Sequence, residues 1–142
     1  MVEALAEARR AEQLGEVPVG AIVVRAGREL ARAHNQPLAL CDPTAHAEIL
    51  ALRTAAKNAG EYRLPGAVLY ATLEPCPMCI GAALLARIDL LVYGAADPKH
   101  GAAGTVVDLS AVGPFNHRIR VLAGIAADES REMLQRFFRA RR

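Results

Sequence analysis

Two apolar runs in the middle of the chain, separated by little more than one helix, constrain the fold most. "AVLYATL" (Ala67–Leu73) has the composition of a buried strand, and "IDLLVYG" (Ile88–Gly94) repeats it. Between them "PCPMCIGAALLAR" reads as a short helix. Strands joined through a helix pair in parallel by a right-handed crossover. A longer helix precedes the pair; Thr44 is the expected cap after Pro43, and Gly60 the stop after Ala59. Upstream, "VPVGAIVVR" (Val17–Arg25) and Glu29–His34 flank the turn "AGR" and read as a hairpin, which "HNQP" leaves as a loop. Met1–Leu14 reads as a leading helix stopped by Gly15. After the loop "AADPKHGAAGT", a last strand is expected near Arg118–Gly124 and a last helix from Asp128 to Arg141. The sum is an α/β protein with a mixed sheet and helices on both faces. A chain of 142 residues without repeat or linker is read as one domain, 1–142.

Composition removes several classes of function. Hydrophobic residues make up 53% of the chain, which is ordinary for a globular protein. No apolar run approaches the roughly 18 residues of a membrane span, so no membrane partner is expected. Glu3, Glu7 and Glu12 stand among the first arginines, unlike a signal or transit peptide. The net charge of +2 does not by itself prove a nucleic-acid partner. The cysteines number three, Cys41, Cys76 and Cys79, an odd count that suits a reducing, cytoplasmic location. There a close pair serves metal binding or catalysis more often than a disulfide.

Cys76 and Cys79 are spaced so that one helical turn brings them to the same side, and Pro77 suits the first turn. His46 added to them gives three donors and leaves a tetrahedral Zn2+ with one open position, the catalytic pattern. Two thiolates offset the ion's charge, and helix N-termini stabilise thiolates. Glu48 needs no ligating role. Zinc lowers the pKa of bound water from about 15.7 to about 7, and a neighbouring carboxylate can take the proton and hand it to a substrate. The spacing of His46 and Glu48 is awkward, because a helix turns ~100° per residue and would point them ~200° apart. They can share a site only at a helix end, where Ala47 between them would offer its backbone N–H to a substrate. Two other readings remain: a thioredoxin-like redox pair, and a structural zinc site completed by Cys41 or His34. The combination H-x-E followed by P-C-x-x-C is the signature of zinc-dependent nucleobase deaminases.

Beyond that signature, "EVPVGAIVV", "HNQP", "DPTAHAEILALR", "YRLPGAVLYATLEPCPMCIGA", "YGAADPKHGAAGT", "FNHRIRV" and "FFRARR" run almost end to end. In these the sequence resembles the bacterial tRNA-specific adenosine deaminases of the cytidine deaminase-like superfamily. His100 and Thr105 depart from that pattern, where Thr and Ser are usual. The resemblance implies a three-layer α/β/α sandwich with a mixed five-stranded sheet, and one Zn2+ per subunit on His46, Cys76 and Cys79. It implies hydrolytic deamination of adenosine to inosine at the wobble position (34) of tRNA anticodons. Attack would fall on C6 of adenine, with Glu48 moving the water proton to ring N1 and then to the departing ammonia. The implied partners are a tRNA anticodon stem-loop and a second copy of the chain, a homodimer whose RNA contacts both subunits.

The resemblance implies substrate contacts from Asn35, Asp97, Asn116 and His117; Ala47 and Lys99 are expected to join them, with Val17 and Pro18 walling the pocket. Each has a plainer alternative: an Asx turn before Pro37 for Asn35, a turn before Pro98 for Asp97, a solvated charge for Lys99, and an ordinary loop for Asn116 and His117. Met133, Leu134, Phe137 and Phe138 read as a core-facing stripe. Arg136, Arg139, Arg141 and Arg142 are then left for RNA or for the helix dipole. Two further functions stay open on the residues alone: a deaminase of free purine or cytosine compounds, and a non-catalytic zinc-bearing RNA-binding subunit.

Overall fold

The computed structural model describes residues 1–142. Its elements in chain order are α1 (Val2–Gln13), β1 (Gly20–Arg25), β2 (Arg28–His34), α2 (Pro37–Leu40), α3 (Ala47–Ala59), β3 (Ala67–Leu73), α4 (Pro77–Leu85), β4 (Leu90–Ala95), β5 (Arg120–Leu122) and α5 (Ala127–Arg139). The sheet runs β2-β1-β3-β4-β5. The hairpin pairs Gly20 with His34, and β1 is antiparallel to β3 as well. From β3 onward the pairing is parallel, with Leu73 beside Ala95 at the carboxyl ends. This is the mixed five-stranded sheet expected.

Strand alternation sorts the two faces. Ala21 and Val23 of β1 join Ala47, Ala51 and Ala55 of α3 and Ala83 of α4 in the main core. Gly20 points the other way, where an added Cβ would lie 2.0 Å from the Ala4 carbonyl oxygen, so α1 rests directly on β1. Leu5 and Ala8 of α1 meet Met133 of α5 on that side, and Arg9–Glu129 and Arg136–Glu12 ion pairs tie the two helices together. The layers are α1 and α5, then the sheet, then α3 and α4. About half of the buried hydrophobic residues are alanines, and the α3 and α4 alanines named above have 0% exposure. The α3 backbone therefore sits close against β1 and β2, and α4 rests beside α3.

Several boundaries differ from the sequence reading, each for a local reason. β1 begins at Gly20 instead of Val17, because Pro18 has no N–H to give to a ladder and the Val19 N–H turns back to the Val17 carbonyl. "HNQP" is not wholly loop: Pro37 opens the single turn α2, which ends at Cys41 in the left-handed region (φ 48°). Thr44 does not cap α3. Its N–H and hydroxyl both donate to Asp42 Oδ1, and the helix starts three residues later. β5 keeps only three residues at the open edge of the sheet. In α5 only Met133 and Phe137 of the expected stripe are buried, while Phe138 faces solvent.

Candidate metal centre

His46 and Cys76 occupy equivalent positions. Each is the residue before a helix, in extended backbone (φ −69°, ψ 150° and φ −74°, ψ 173°). Each carbonyl accepts the first hydrogen bond of its helix, from Leu50 N–H and Ile80 N–H respectively. The N-termini of α3 and α4 thus converge, and Cys79 follows one turn into α4. His46 Nδ1 lies 3.7 Å from Cys76 Sγ and 3.6 Å from Cys79 Sγ, and the sulfurs are 3.7 Å apart. A tetrahedral ion with Zn–S of about 2.3 Å and Zn–N of about 2.0 Å spaces its donors by roughly 3.5–3.8 Å. The donor set fits zinc.

The same three residues are the group of His, Cys, Asp or Glu able to hold a metal ion. Neither Cys41, exposed at the end of α2, nor His34, whose Nδ1 lies 3.0 Å from the Glu7 carboxylate, falls within that donor group, so neither completes a four-ligand structural site. The protonation of the donors is shared. Cys79 as hydrogen-bond partner, with His46 in support, draws the Cys76 thiol down to about 4. Cys79 itself is pushed well above the ordinary thiol range by Cys76 and by burial. His46 is raised by its Cys76 partner.

Glu48 is in the first turn of α3 and 4% exposed. Burial raises its carboxyl, against the pull of its own backbone N–H and of His46. Ala47 is the first residue of the helix, where N–H groups lack intrahelical partners. Asn35 is 7% exposed. Its N–H donates to the Val19 carbonyl, and the next N–H, from Gln36, donates to the Ala45 carbonyl, which pins this loop beside the segment that delivers His46.

The remaining expected contacts lie in two other places. Asp97 and Lys99 line a cleft of about 740 Å³ between the 95–100 segment and α5, together with Val17, Arg131 and Arg139. Asp97 Oδ1 accepts the Lys99 and His100 N–H groups, so the turn role is filled, while Oδ2 lies 3.7 Å from His100 Nδ1. Asn116 and His117 border a groove of about 660 Å³ at the far end of α4, with Tyr62, Leu85 and Phe115. His117 Nε2 lies 2.7 Å from the Ile88 carbonyl oxygen, and Arg87 donates to the Asn116 carbonyl. A helix rises ~1.5 Å per residue, so along α4 the groove runs from Gly81, roughly 7 Å beyond Cys76, to Leu85, roughly 13 Å beyond it. Arg136 and Arg141 are engaged by Glu12 and the Gly15 carbonyl.

Three buried carboxylates have roles that escaped the sequence reading, and Glu7, on Arg10 and His34, is one of them. Glu16 accepts the Ala39 N–H of α2 at 2.8 Å. Glu74, directly after β3, accepts three backbone N–H groups, from Asp97, Ala103 and Thr105. An acid closing an apolar strand was the signal available.

Residues 1–95 match the cytidine and deoxycytidylate deaminase zinc-binding region, the class that this sandwich and its three donors define. A tRNA-specific adenosine deaminase of Bacillus subtilis (strain 168) is 48% identical over 139 residues, 98% of this chain and 86% of that protein. A solved structure from work on A-to-I editing by tRNA:A34 deaminases superposes with a TM-score of 0.89 at 49% identity, covering 92% of this chain and 95% of that one. A guanine deaminase structure from Bacillus subtilis is more distant, at TM-score 0.64 and 31% identity over 78% of this chain and 82% of that one. The chain belongs to the family of the tRNA-specific adenosine deaminases.

Proposed function

We propose that this chain is a tRNA adenosine(34) deaminase, hydrolysing adenosine to inosine and ammonia at the wobble position of an anticodon stem-loop. The observation that carries the reading is the convergence of two helix N-termini on His46, Cys76 and Cys79 with Glu48 buried alongside, in a family whose members are named for this reaction. His46, Cys76 and Cys79 would hold one zinc per subunit. Zinc held there would supply Lewis-acid activation of a water at neutral pH. Glu48 then takes the water proton, carries it to N1 of adenine as the C6–O bond forms, and delivers a proton to the amine as the C6–N bond breaks. Burial supports this role, because a raised carboxyl pKa suits a group that must both accept and return a proton.

Asn35 and the Ala47 N–H flank the donors and are assigned to the base. Asp97 and Lys99 are assigned to the ribose and phosphate side. The homodimer is part of the same reading. Asn116 and His117 stand a helix away from their own metal donors, which two-subunit binding of RNA accounts for. Leu85, 77% exposed, and its neighbours Tyr62 and Phe115 offer the apolar surface for the second copy. No helix is long and apolar enough to cross a membrane, and a tRNA substrate favours the cytoplasm. The whole of 1–142 is taken as one deaminase domain.

The deciding experiment incubates purified protein with unmodified tRNA carrying A34, beside free adenosine, cytidine and guanine. Inosine formed only in the tRNA is expected. Rapid turnover of a free base or nucleoside with the tRNA untouched would overturn the reading in favour of the free-purine activity for which the guanine deaminase neighbour is named.

A further inference from the structure

Glu74 is 1% exposed, and no cation faces its carboxylate. Its two oxygens are divided between the two ends of one loop. Oε2 accepts the Asp97 N–H at 3.0 Å, where the loop leaves β4. Oε1 accepts the Ala103 and Thr105 N–H groups at 3.0 and 3.1 Å, where the loop returns. The backbone on either side is tied in too. The Glu74 N–H donates to the Ala95 carbonyl, and the Ala102 N–H donates to the Pro75 carbonyl. Gly101 completes the fit, because a Cβ there would fall 2.3 Å from Glu74 Oε2. A carboxylate buried on three backbone donors is a strong, charge-assisted anchor.

The anchored loop is the one that brings Asp97, Lys99 and His100 to the cleft facing Arg131 and Arg139 of α5. It contributes no metal donor. We propose that Glu74 is a positioning residue for substrate: a clasp that sets loop 96–105 against α5 so that the cleft can grip the nucleotides around the target base. The inference rests on the reading that the substrate is an RNA stem-loop. The same residue stands one peptide unit before Pro75 and two before Cys76, so one strand end places both the metal donor and the RNA-binding loop.

Glutamine in place of Glu74 keeps one acceptor oxygen and turns an NH2 group toward a backbone N–H, so it can hold one end of the loop and must release the other. Loss of a charge-assisted bond is worth about tenfold or more in the population of the anchored loop, and the apparent affinity for substrate falls with that population. For E74Q, the expected result is zinc near one per chain, kcat within about threefold of the parent, and KM for an anticodon stem-loop raised by about tenfold or more. A merely structural role gives the opposite split, since loss of folded, zinc-loaded enzyme lowers kcat and leaves KM alone. That opposite split, or a parental KM in folded E74Q, would overturn the proposal. Gly101→Ala, which crowds the carboxylate without removing it, is expected to raise KM in the same way and decides the matter if E74Q does not fold. A parental KM in Gly101→Ala then overturns the proposal.

A second measurement needs no substrate. Amide exchange at Asp97, Ala103 and Thr105 should be slow in the parent and fast at one end of the loop in E74Q, and unchanged exchange at all three would refute the clasp. If the parent protein converts no stem-loop, the proposed function fails while the exchange result still stands on its own.

Discussion

His46 and Glu48 illustrate what a helical wheel misses. Their spacing looked unfavourable only while both were placed on the helix. His46 is in extended backbone before α3, and only Glu48 is on the helix, so the two approach the same point from different backbone directions. The residue types were legible in the sequence because metal chemistry restricts them. The mistaken cap was not, since Asp42 draws the Thr44 N–H and hydroxyl into a turn of its own and the helix opens only at Ala47, a difference that the run of residue types does not reveal. Replacing Glu48 by Ala should leave zinc at about one per chain while slowing inosine formation by about 10²–10⁴, measured by metal analysis beside single-turnover assays. A near-parental rate would remove Glu48 from proton transfer. Cys76→Ala should lose the zinc itself, read by the same metal analysis. Protons compete with the metal for these donors. Cys79 and His46 both hold theirs more firmly than usual, so zinc uptake must release protons and affinity must fall as pH falls. Chelator competition should extract zinc more readily at pH 6 than at pH 8, and equal extraction would contradict the shared-proton picture.

At the scale of elements, the strands and long helices followed from apolar periodicity, and the short pieces did not. α2 was missed because its stabilising acceptor is remote: Gln36 makes no side-chain cap, and the Ala39 N–H is met by Glu16 from the loop after α1. No window along the sequence contains both partners. The 96–105 loop is the same case, ordered by Glu74 from another strand's end. Glu16→Ala should cost about 1 kcal/mol, the usual worth of a helix cap, and lower Tm by about 3 °C in a thermal melt, while Glu16→Gln, which keeps an acceptor, should recover most of it. An unchanged Tm for Glu16→Ala would show that α2 holds without this acceptor. β5 shrinks to three residues for a different reason. It has a neighbour on one side only, and Leu122 remains 49% exposed, so little burial rewards a longer strand.

For the whole molecule, surface decides what the core does not. The exposed Tyr62, Leu85 and Phe115 lie on the groove that holds Asn116 and His117. Sedimentation should give the mass of two copies. Leu85→Arg should shift the distribution toward one and reduce tRNA deamination, while zinc stays bound. A variant that remains dimeric would place the interface elsewhere. The alanines between α3, α4 and the sheet carry a further consequence. Alanine has no rotamer to choose, so these contacts give up no side-chain entropy on folding, unlike the Leu52, Ile80 and Leu84 contacts around them. The α3 helix, which follows His46, is placed by its backbone lying on β1 and β2, and α4 is placed against α3 and by Ile80, Ala83 and Leu84 in the core. The donors are therefore held at metal-binding distances by packed helices whose closest contacts carry no rotamer freedom, and the ion, on arrival, has little left to order.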